Sequence, residues 1–193
     1  MLSLVTERRQ QILDTAAELF AERGFHGVSV HDIGAACGIS GPALYKHFNG
    51  KGELLAASLT DISETLLKEG SARVAAAESP GDALDALIDW HVEFALGHPA
   101  LIVVQDREWT NLASAARRDV RALQLSYIDI WVDTVQALRP DLDHSTTRAA
   151  VQATFGLLNS TPHSARIKPT EMRALLIEMA HRSLIGPGAT DAP

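Results

Sequence analysis

Several common classes of protein are excluded by what this sequence lacks. It has a single cysteine, Cys37, in 193 residues, so no intrachain disulfide can form and a reducing compartment is favoured. Its longest uninterrupted apolar run, 100–104, is far shorter than the roughly 20 residues of a membrane-spanning helix. The first residues become charged at Glu7 before any secretory apolar segment develops. These absences predict a soluble, cytoplasmic protein.

Motifs of metal-dependent and covalent catalysis are also missing. No His-x-x-x-His or Cys-x-x-Cys pair, no glycine-rich phosphate loop and no nucleophile elbow occurs in the chain. His91 and Glu93 are two residues apart on a predicted helix and therefore face different directions. We expect no enzymatic activity, no cofactor and no metal site.

Negative charge is concentrated in the second part of the chain. The net charge is −7. Residues 1–52 carry five basic and five acidic side chains, whereas residues 53–193 carry twelve basic and nineteen acidic ones. An acidic body argues against non-specific binding to nucleic acids or anionic membranes. It leaves open a small DNA-reading head, because a few well-placed cations and amides suffice to bind phosphates.

The spacing of apolar residues predicts an all-α fold of about nine helices, in which an N-terminal three-helix head with a helix-turn-helix precedes a helical body. The head is assigned to residues 1–52 and the body to residues 53–193. The helices are expected at about residues 7–23, 30–37, 41–48, 51–77, 80–97, 99–112, 115–138, 145–159 and 169–185.

The head contains the most specific local signals. Ser29 and Asp32 form a capping box at the start of a short helix, and Gly38 provides a tight turn that can hold a second short helix across the first. The contact between the two helices is expected at Ala35, Ala36 and Ile39, with Leu44 and Phe48 buried in the head.

The outward residues of the head are candidates for DNA contacts. Free amides at the start of the second short helix favour anions. Candidate phosphate contacts, which set register, are Arg8, Ser29, Tyr45, His47 and Lys51. Candidate base contacts are Gly41, Pro42, Ala43 and Lys46, with Ser40 also facing outward. His31 is expected either near a phosphate or on the solvated surface.

Three consecutive stretches carry a resemblance to a known family. Residues 15–25, 28–34 and 38–48, the last ending Leu-Tyr-Lys-His-Phe and followed by Lys51, look like the DNA-binding domain of the tetracycline-repressor (TetR) family. The resemblance covers residues 7–58. It implies an all-helical homodimer whose heads occupy successive major grooves of double-stranded DNA, and a divergent body that binds a small inducer.

By this resemblance, the homodimer forms through the last two long helices. Their small and apolar residues permit such a face, although some of these stripes would otherwise pack inside the subunit. The residues concerned are Ala149, Ala150, Ala153, Leu157, Leu158, Leu175, Leu176, Met179 and Leu184.

An effector pocket is expected among the helices of residues 83–159. A mostly apolar cavity with a few polar groups is typical of such sites, although each candidate could instead belong to the core or the surface. The candidates are Trp90, His91, Phe94, Gln105, Trp109, Tyr127, Trp131, Phe155 and Asn159. The arginines at 117, 118 and 121 either pair with Asp119 or Asp129 or attract a ligand phosphate, which would suit an acyl-CoA type effector.

The function predicted from these features is a transcriptional repressor that leaves a palindromic operator when a small, largely apolar effector binds. The alternative is a helical ligand-binding or interaction protein whose head does not read DNA. The effect of the effector depends on its different affinities for the two conformations.

Overall fold

Helices form all the regular structure in the part of the chain that the computed structural model describes, residues 2–186. The ten α-helices are α1 (Leu2–Arg23), α2 (Val30–Ala36), α3 (Gly41–Leu44), α4 (Lys51–Ala76), α5 (Pro80–Gly97), α6 (Pro99–Glu108), α7 (Ser114–Leu138), α8 (His144–Leu158), α9 (Thr161–Ser164) and α10 (Pro169–Ile185). A 3₁₀ turn, Trp109–Asn111, follows α6. The predicted all-α fold is confirmed.

The nine predicted helices are present in this range, but their ends differ in several places. Helix α1 begins at Leu2 rather than near residue 7. Helix α3 ends at Leu44 rather than near residue 48, because the next residues form turns in which Lys46 N–H donates to the Ala43 carbonyl at 3.3 Å. The four-residue helix α9 was not predicted.

The start and stop signals of the head operate as expected. Ser29 caps α2 as part of a complete capping box with Asp32. Gly24 ends α1 with φ of 75° and Gly38 ends α2 with φ of 66°, a left-handed conformation that glycine adopts without steric cost. These signals fix where the helices of the head begin and end.

The chain divides into two compact units. The first consists of Met1–Ser63 together with Ala100–Arg121, and the second consists of Glu64–Pro99 together with Ala122–Pro193. The first unit thus extends beyond residue 52 and includes a later stretch of chain. The functional boundary at residue 52 stays a prediction.

One hydrophobic core joins the two stretches of the first unit. Phe20, Leu44 and Leu55 are almost completely buried in it, and Val104 and Leu112 from the later stretch belong to the same cluster. Burial of such side chains stabilises the fold by roughly 1.5–3 kcal/mol each. The head is therefore supported by α6 and the start of α7.

In the second unit, α10 packs against α5 and α8. Their inward residues include Ile88, Val151 and Leu176, each of which is at most 2 % exposed. No single helix within residues 2–186 has the length and apolar composition of a membrane span; only α5 taken together with the bent continuation through residue 111 meets that test.

Candidate functional sites

The second helix of the head is fixed at its start by the Ser29–Asp32 capping box. Ser29 Oγ accepts a hydrogen bond from Asp32 N–H at 3.1 Å, and the Asp32 carboxylate accepts from Ser29 N–H at 2.8 Å and from its hydroxyl at 2.5 Å. These hydrogen bonds hold the pKa of Asp32 below its ordinary value. The Ser29 hydroxyl is therefore already used inside the head.

Lys51, at the start of α4, clamps the loop between α1 and α2. Its Nζ donates to the carbonyls of Phe25 at 2.8 Å and Val28 at 3.0 Å. The same ammonium lies 4.5 Å from the centroid of the Phe25 ring, where a cation is attracted by the π face. This side chain is engaged in holding the loop, although its prediction as a phosphate contact is untested.

Arg8 connects α1 with the turn that follows α2. Its Nη2 donates to the Cys37 carbonyl at 2.8 Å, and its Nη1 donates to Gln11 Oε1 at 2.6 Å. Cys37 is buried, as expected for a small core residue. Arg8 thereby satisfies a carbonyl at the end of α2, where helical carbonyls lack intrahelical partners.

A link that the sequence did not reveal joins α6 to the head. The buried Glu108 carboxylate accepts from Phe25 N–H at 3.2 Å through Oε1 and from Asn111 Nδ2 at 2.7 Å through Oε2. Arg107 Nη1 donates to the Ala21 carbonyl at 3.1 Å. Because Glu108 and Phe25, like Arg107 and Ala21, are more than 80 residues apart in the sequence, no local pattern could have indicated these two bonds.

The turn after α2 and helix α3 expose most of the predicted DNA contacts. Pro42, Lys46 and His47 are exposed, and Tyr45 is 55 % exposed. Ser40 Oγ accepts from Ala43 N–H at 3.3 Å and so helps to start α3.

Buried residues alternate with these exposed ones. Leu44 and Phe48 are buried as predicted. Of the residues predicted for the contact between α2 and α3, Ala35 and Ala36 are exposed, whereas Ile39 packs against the core. Ile33 and Cys37, which are buried, lie on the inner side of α2 instead, four residues apart and hence on one helix face.

An open groove of about 540 Å³ lies beside this surface. It is lined by the segment 26–32 together with Tyr45 and Lys51. His31 is exposed at the start of α2 and belongs to the lining. Four predicted DNA-contact residues therefore line one groove: Ser29, His31, Tyr45 and Lys51.

Five of the nine predicted effector residues form an aromatic cluster in the second unit. The cluster consists of His91, Phe94, Tyr127, Trp131 and Phe155. The Phe155 ring lies 4.7 Å from His91, 5.0 Å from Trp131 and 5.8 Å from Tyr127, measured between ring centroids. Phe94 lies 5.5 Å from His91. Such spacings are those of interacting aromatic pairs.

A sixth predicted residue, Asn159, borders the cluster. Its Oδ1 lies 3.1 Å from His91 Nε2. Burial lowers the pKa of His91 to about 4, with the Asn159 contact opposing that change, so the imidazole is neutral near pH 7. Burial also raises the pKa of the Tyr127 hydroxyl, which Trp131 and Arg73 partly oppose.

Three buried polar atoms of the cluster have no hydrogen-bond partner among the described residues. They are His91 Nδ1, Tyr127 Oη and Trp131 Nε1. Most buried polar groups in proteins are hydrogen-bonded, and one that is not costs about 1–3 kcal/mol of folding free energy. All three atoms belong to neighbouring rings of the cluster.

Helix α4 approaches the cluster at Gly70. A Cβ atom added at Gly70 would lie 2.6 Å from Tyr127 Cε2 and 3.4 Å from Leu87 Cδ2, the first being far inside van der Waals contact. The absence of a side chain at this position therefore lets the Tyr127 ring lie directly on the α4 backbone. The sequence alone gave no sign of this requirement.

The remaining predicted effector residues lie outside the cluster. Trp90 donates its indole N–H to the Leu66 carbonyl at 3.4 Å and is covered by the Arg73 guanidinium at 4.4 Å. Trp109 packs on the core of the first unit, and Gln105 belongs to that unit as well. Their roles as effector contacts stay predictions.

Of the alternatives left open for the α7 arginines, pairing with Asp129 is not observed, since Asp129 forms its ion pair with Arg148. Arg117 donates to the Leu112 carbonyl at 2.9 Å. Arg118 and Arg121 are exposed.

Comparison with known proteins assigns both parts of the chain to one kind of protein. Residues 12–58 match the family model for bacterial regulatory proteins of the tetR family, and residues 77–163 match the model for a tetracyclin repressor-like C-terminal domain. The HTH-type transcriptional repressor KstR2 of Mycobacterium tuberculosis is 31% identical over 153 residues, which cover 72% of this chain and 73% of the relative.

Solved structures share the fold. A TetR-family transcriptional regulator from Bordetella parapertussis 12822 superimposes with a TM-score of 0.81 at 25% identity, covering 92% of this chain and 94% of its own. AibR, solved in complex with isovaleryl coenzyme A and operator DNA, gives a TM-score of 0.73 at 21% identity, covering 94% of this chain and 100% of its own.

Proposed function

Because this chain belongs to the TetR family of bacterial transcriptional regulators, we propose that it is a repressor that leaves its operator when a small, largely apolar effector binds in the second unit. The observation that carries the proposal is the pairing of an exposed, braced helix-turn-helix with a buried aromatic cluster that has unsatisfied polar atoms. The helix-turn-helix supplies the surface that reads DNA, and the aromatic cluster supplies a place for the effector.

At the DNA, the exposed residues and the bracing residues have different tasks. Tyr45 and His47 bind phosphates, and Lys46 reaches a base edge, where lysine recognises guanine. Lys51, Arg8 and the capping box hold the loop and the helices in a fixed relation. A rigid head presents these groups with little loss of conformational entropy on binding.

Fluorescence anisotropy on DNA from upstream of the protein's own gene tests the reading surface. The double variant Lys46→Ala with Tyr45→Phe is expected to weaken operator binding by at least tenfold, because it removes a base contact and a phosphate contact. Lys68→Ala is the matched control, since it removes one exposed positive charge on α4 in the second unit.

The same titration against a scrambled duplex at two salt concentrations separates specific from non-specific binding. Equal weak binding to both duplexes that disappears with added salt would favour the alternative of a helical ligand-binding protein whose head does not read DNA.

The effector is proposed to be of the acyl-CoA type. AibR, which shares this fold, binds isovaleryl coenzyme A. In this chain the aromatic cluster would enclose the acyl group. Isovaleryl-CoA is expected to release the operator, whereas free coenzyme A, which lacks the acyl group, is not.

The operator-bound form is proposed to be a homodimer through α8 and α10. A palindromic operator requires twofold symmetry. Among the residues proposed for this face, Leu175 and Met179 on α10 are 41 % and 42 % exposed, so their apolar surface is available to a second copy. Leu158, Leu176 and Leu184 are buried within the subunit and serve as its own core.

A further inference from the structure

Three buried polar atoms of the aromatic cluster have no hydrogen-bond partner among the described residues. His91, Tyr127 and Trp131 are 3 %, 4 % and 0 % exposed, so solvent does not reach them in this conformation. Trp131 lies near the Tyr127 hydroxyl and opposes the rise of its pKa, yet no hydrogen bond of normal geometry reaches either polar atom. Such groups cost folding free energy unless an incoming molecule completes them.

The three atoms together specify complementary chemistry. The Trp131 indole N–H only donates, and the Tyr127 hydroxyl donates or accepts. With the Asn159 amide oxygen facing His91 Nε2, that nitrogen carries the proton of the neutral ring and Nδ1 is an acceptor. The cluster therefore offers two donors to an oxygen and one acceptor to a hydroxyl or an amide.

Charge in the bound group is disfavoured. The cationic side chain whose charge acts on the Tyr127 hydroxyl is Arg73. That guanidinium already pairs with Glu69 at 3.1 Å and stacks on Trp90. A carboxylate buried among the rings would lack a counter-ion, which is costly, whereas a ketone, ester or thioester oxygen would not.

We propose that the cluster selects effectors whose buried part is neutral and mostly apolar and carries a carbonyl or hydroxyl oxygen, bound by Tyr127 Oη and Trp131 Nε1 with His91 Nδ1 as the accepting partner. This inference rests on the proposed effector-controlled repressor and names the chemistry of its site. It predicts that a neutral carbonyl or hydroxyl compound binds at the cluster and that a free carboxylate does not.

The first test needs no ligand. Tyr127→Phe removes an unsatisfied hydroxyl and keeps the ring, so the midpoint of thermal unfolding of the free protein is expected to rise by about 2–4 °C. Tyr45→Phe is the matched control, because the only other tyrosine is exposed, and its midpoint should not change. A lower midpoint for Tyr127→Phe means that its hydroxyl already has a partner and overturns the proposal.

The second test compares three probes of matched shape. They are the neutral ketone 4-phenylbutan-2-one, the anion 3-phenylpropionate and the hydrocarbon isopentylbenzene. The ketone is expected to raise the unfolding midpoint of the wild type more than the other two do, and to lose that advantage in Tyr127→Phe. Equal shifts for ketone and hydrocarbon, or a larger shift for the anion, overturn the proposal.

Operator binding measured on the same samples separates this inference from the proposed function. If the protein discriminates among the probes but binds no operator, the proposed site is supported and the proposed repressor function is not. If the protein binds the operator but responds equally to the three probes, only the site proposed here is overturned.

Discussion

Lys46 and Lys51 are five residues apart in the head, and their ammonium groups have different surroundings. The Lys46 side chain is exposed beside Tyr45 and His47, whereas the Lys51 ammonium donates to two main-chain carbonyls of the α1–α2 loop. The sequence predicted both as DNA contacts, because the spacing of a motif does not show which ammonium group already donates hydrogen bonds within the protein. Their substitutions should therefore have different effects.

Lys51→Ala is expected to lower the free energy of unfolding by about 1–3 kcal/mol, because two carbonyls lose a charged donor. Lys46→Ala should leave stability unchanged within about 0.5 kcal/mol and weaken operator binding. Urea denaturation followed by circular dichroism gives both values. Equal stability of the two variants would contradict the clamp.

His91 makes the stability of the protein depend on pH. Burial lowers its pKa in the folded protein to about 4 from an ordinary 6.5, so the unfolded chain takes up the proton first as pH falls. The free energy of unfolding is therefore unaffected by His91 protonation above pH 6.5. It falls by roughly 3 kcal/mol as the pH decreases from 6.5 to 4.

The stability difference between wild type and His91→Gln measures this contribution. That difference should change across the same pH range, whereas His144→Gln, at an exposed position on α8, should follow the wild type. A His91→Gln curve parallel to the wild type throughout would show that the imidazole is not held neutral.

Helix α4 makes one contact at its start and another in its last third. Lys51 lies at its start, beside the α1–α2 loop, and Gly70 lies about five turns later against the Tyr127 ring. We therefore expect a displacement of the Tyr127 ring to act on α4.

Gly70→Ala tests how closely α4 and Tyr127 fit. The added methyl group would overlap the ring, so we expect a loss of about 1–3 kcal/mol from overpacking and weaker operator binding. Gly156→Ala on α8 is the control, because its added Cβ meets nothing within 4 Å. That change should stabilise the protein by up to about 1 kcal/mol. Calorimetry of both variants checks the contrast.

The outer face of α10 makes a separate prediction. Replacing Leu175 and Met179 with Glu should convert a dimer into a folded monomer, because four charges would face each other across a twofold interface. Leu125→Glu on α7, at a similarly exposed leucine, should leave the dimer intact. Light scattering after size-exclusion chromatography distinguishes the results, and a persisting dimer in the double variant would exclude this face.

The extent of the helices was predictable wherever a short-range signal sets it. The capping box at Ser29, the turn at Gly38 and the proline after Ser79 all act over a few residues, and all three are present in the structure. The end of α3 at Leu44 was not predicted. The following residues form turns, although the spacing of apolar residues had extended the helix to about residue 48. The meeting of Gly70 with Tyr127 depends on tertiary packing, which no window of sequence contains.

At the scale of the whole molecule, the first unit is built from two separated stretches of chain. Val104, Leu112 and Val120 complete the core that also contains Leu55 and Leu59. A fragment of residues 1–63 should therefore expose apolar surface and unfold without a cooperative transition. Joining residues 1–63 to 100–121 through a glycine–serine linker should restore that transition in circular dichroism, and cooperative unfolding of the short fragment would contradict this account.

The long-range hydrogen bonds that brace the head end on main-chain atoms. Glu108 accepts from an amide of the backbone, and Arg8, Lys51 and Arg107 donate to backbone carbonyls. A main-chain partner is the same whichever side chain its residue carries. Substitution at Ala21 therefore need not be matched by a change at Arg107, and pairwise covariation among related sequences would miss this bracing even where every member of the family retains it.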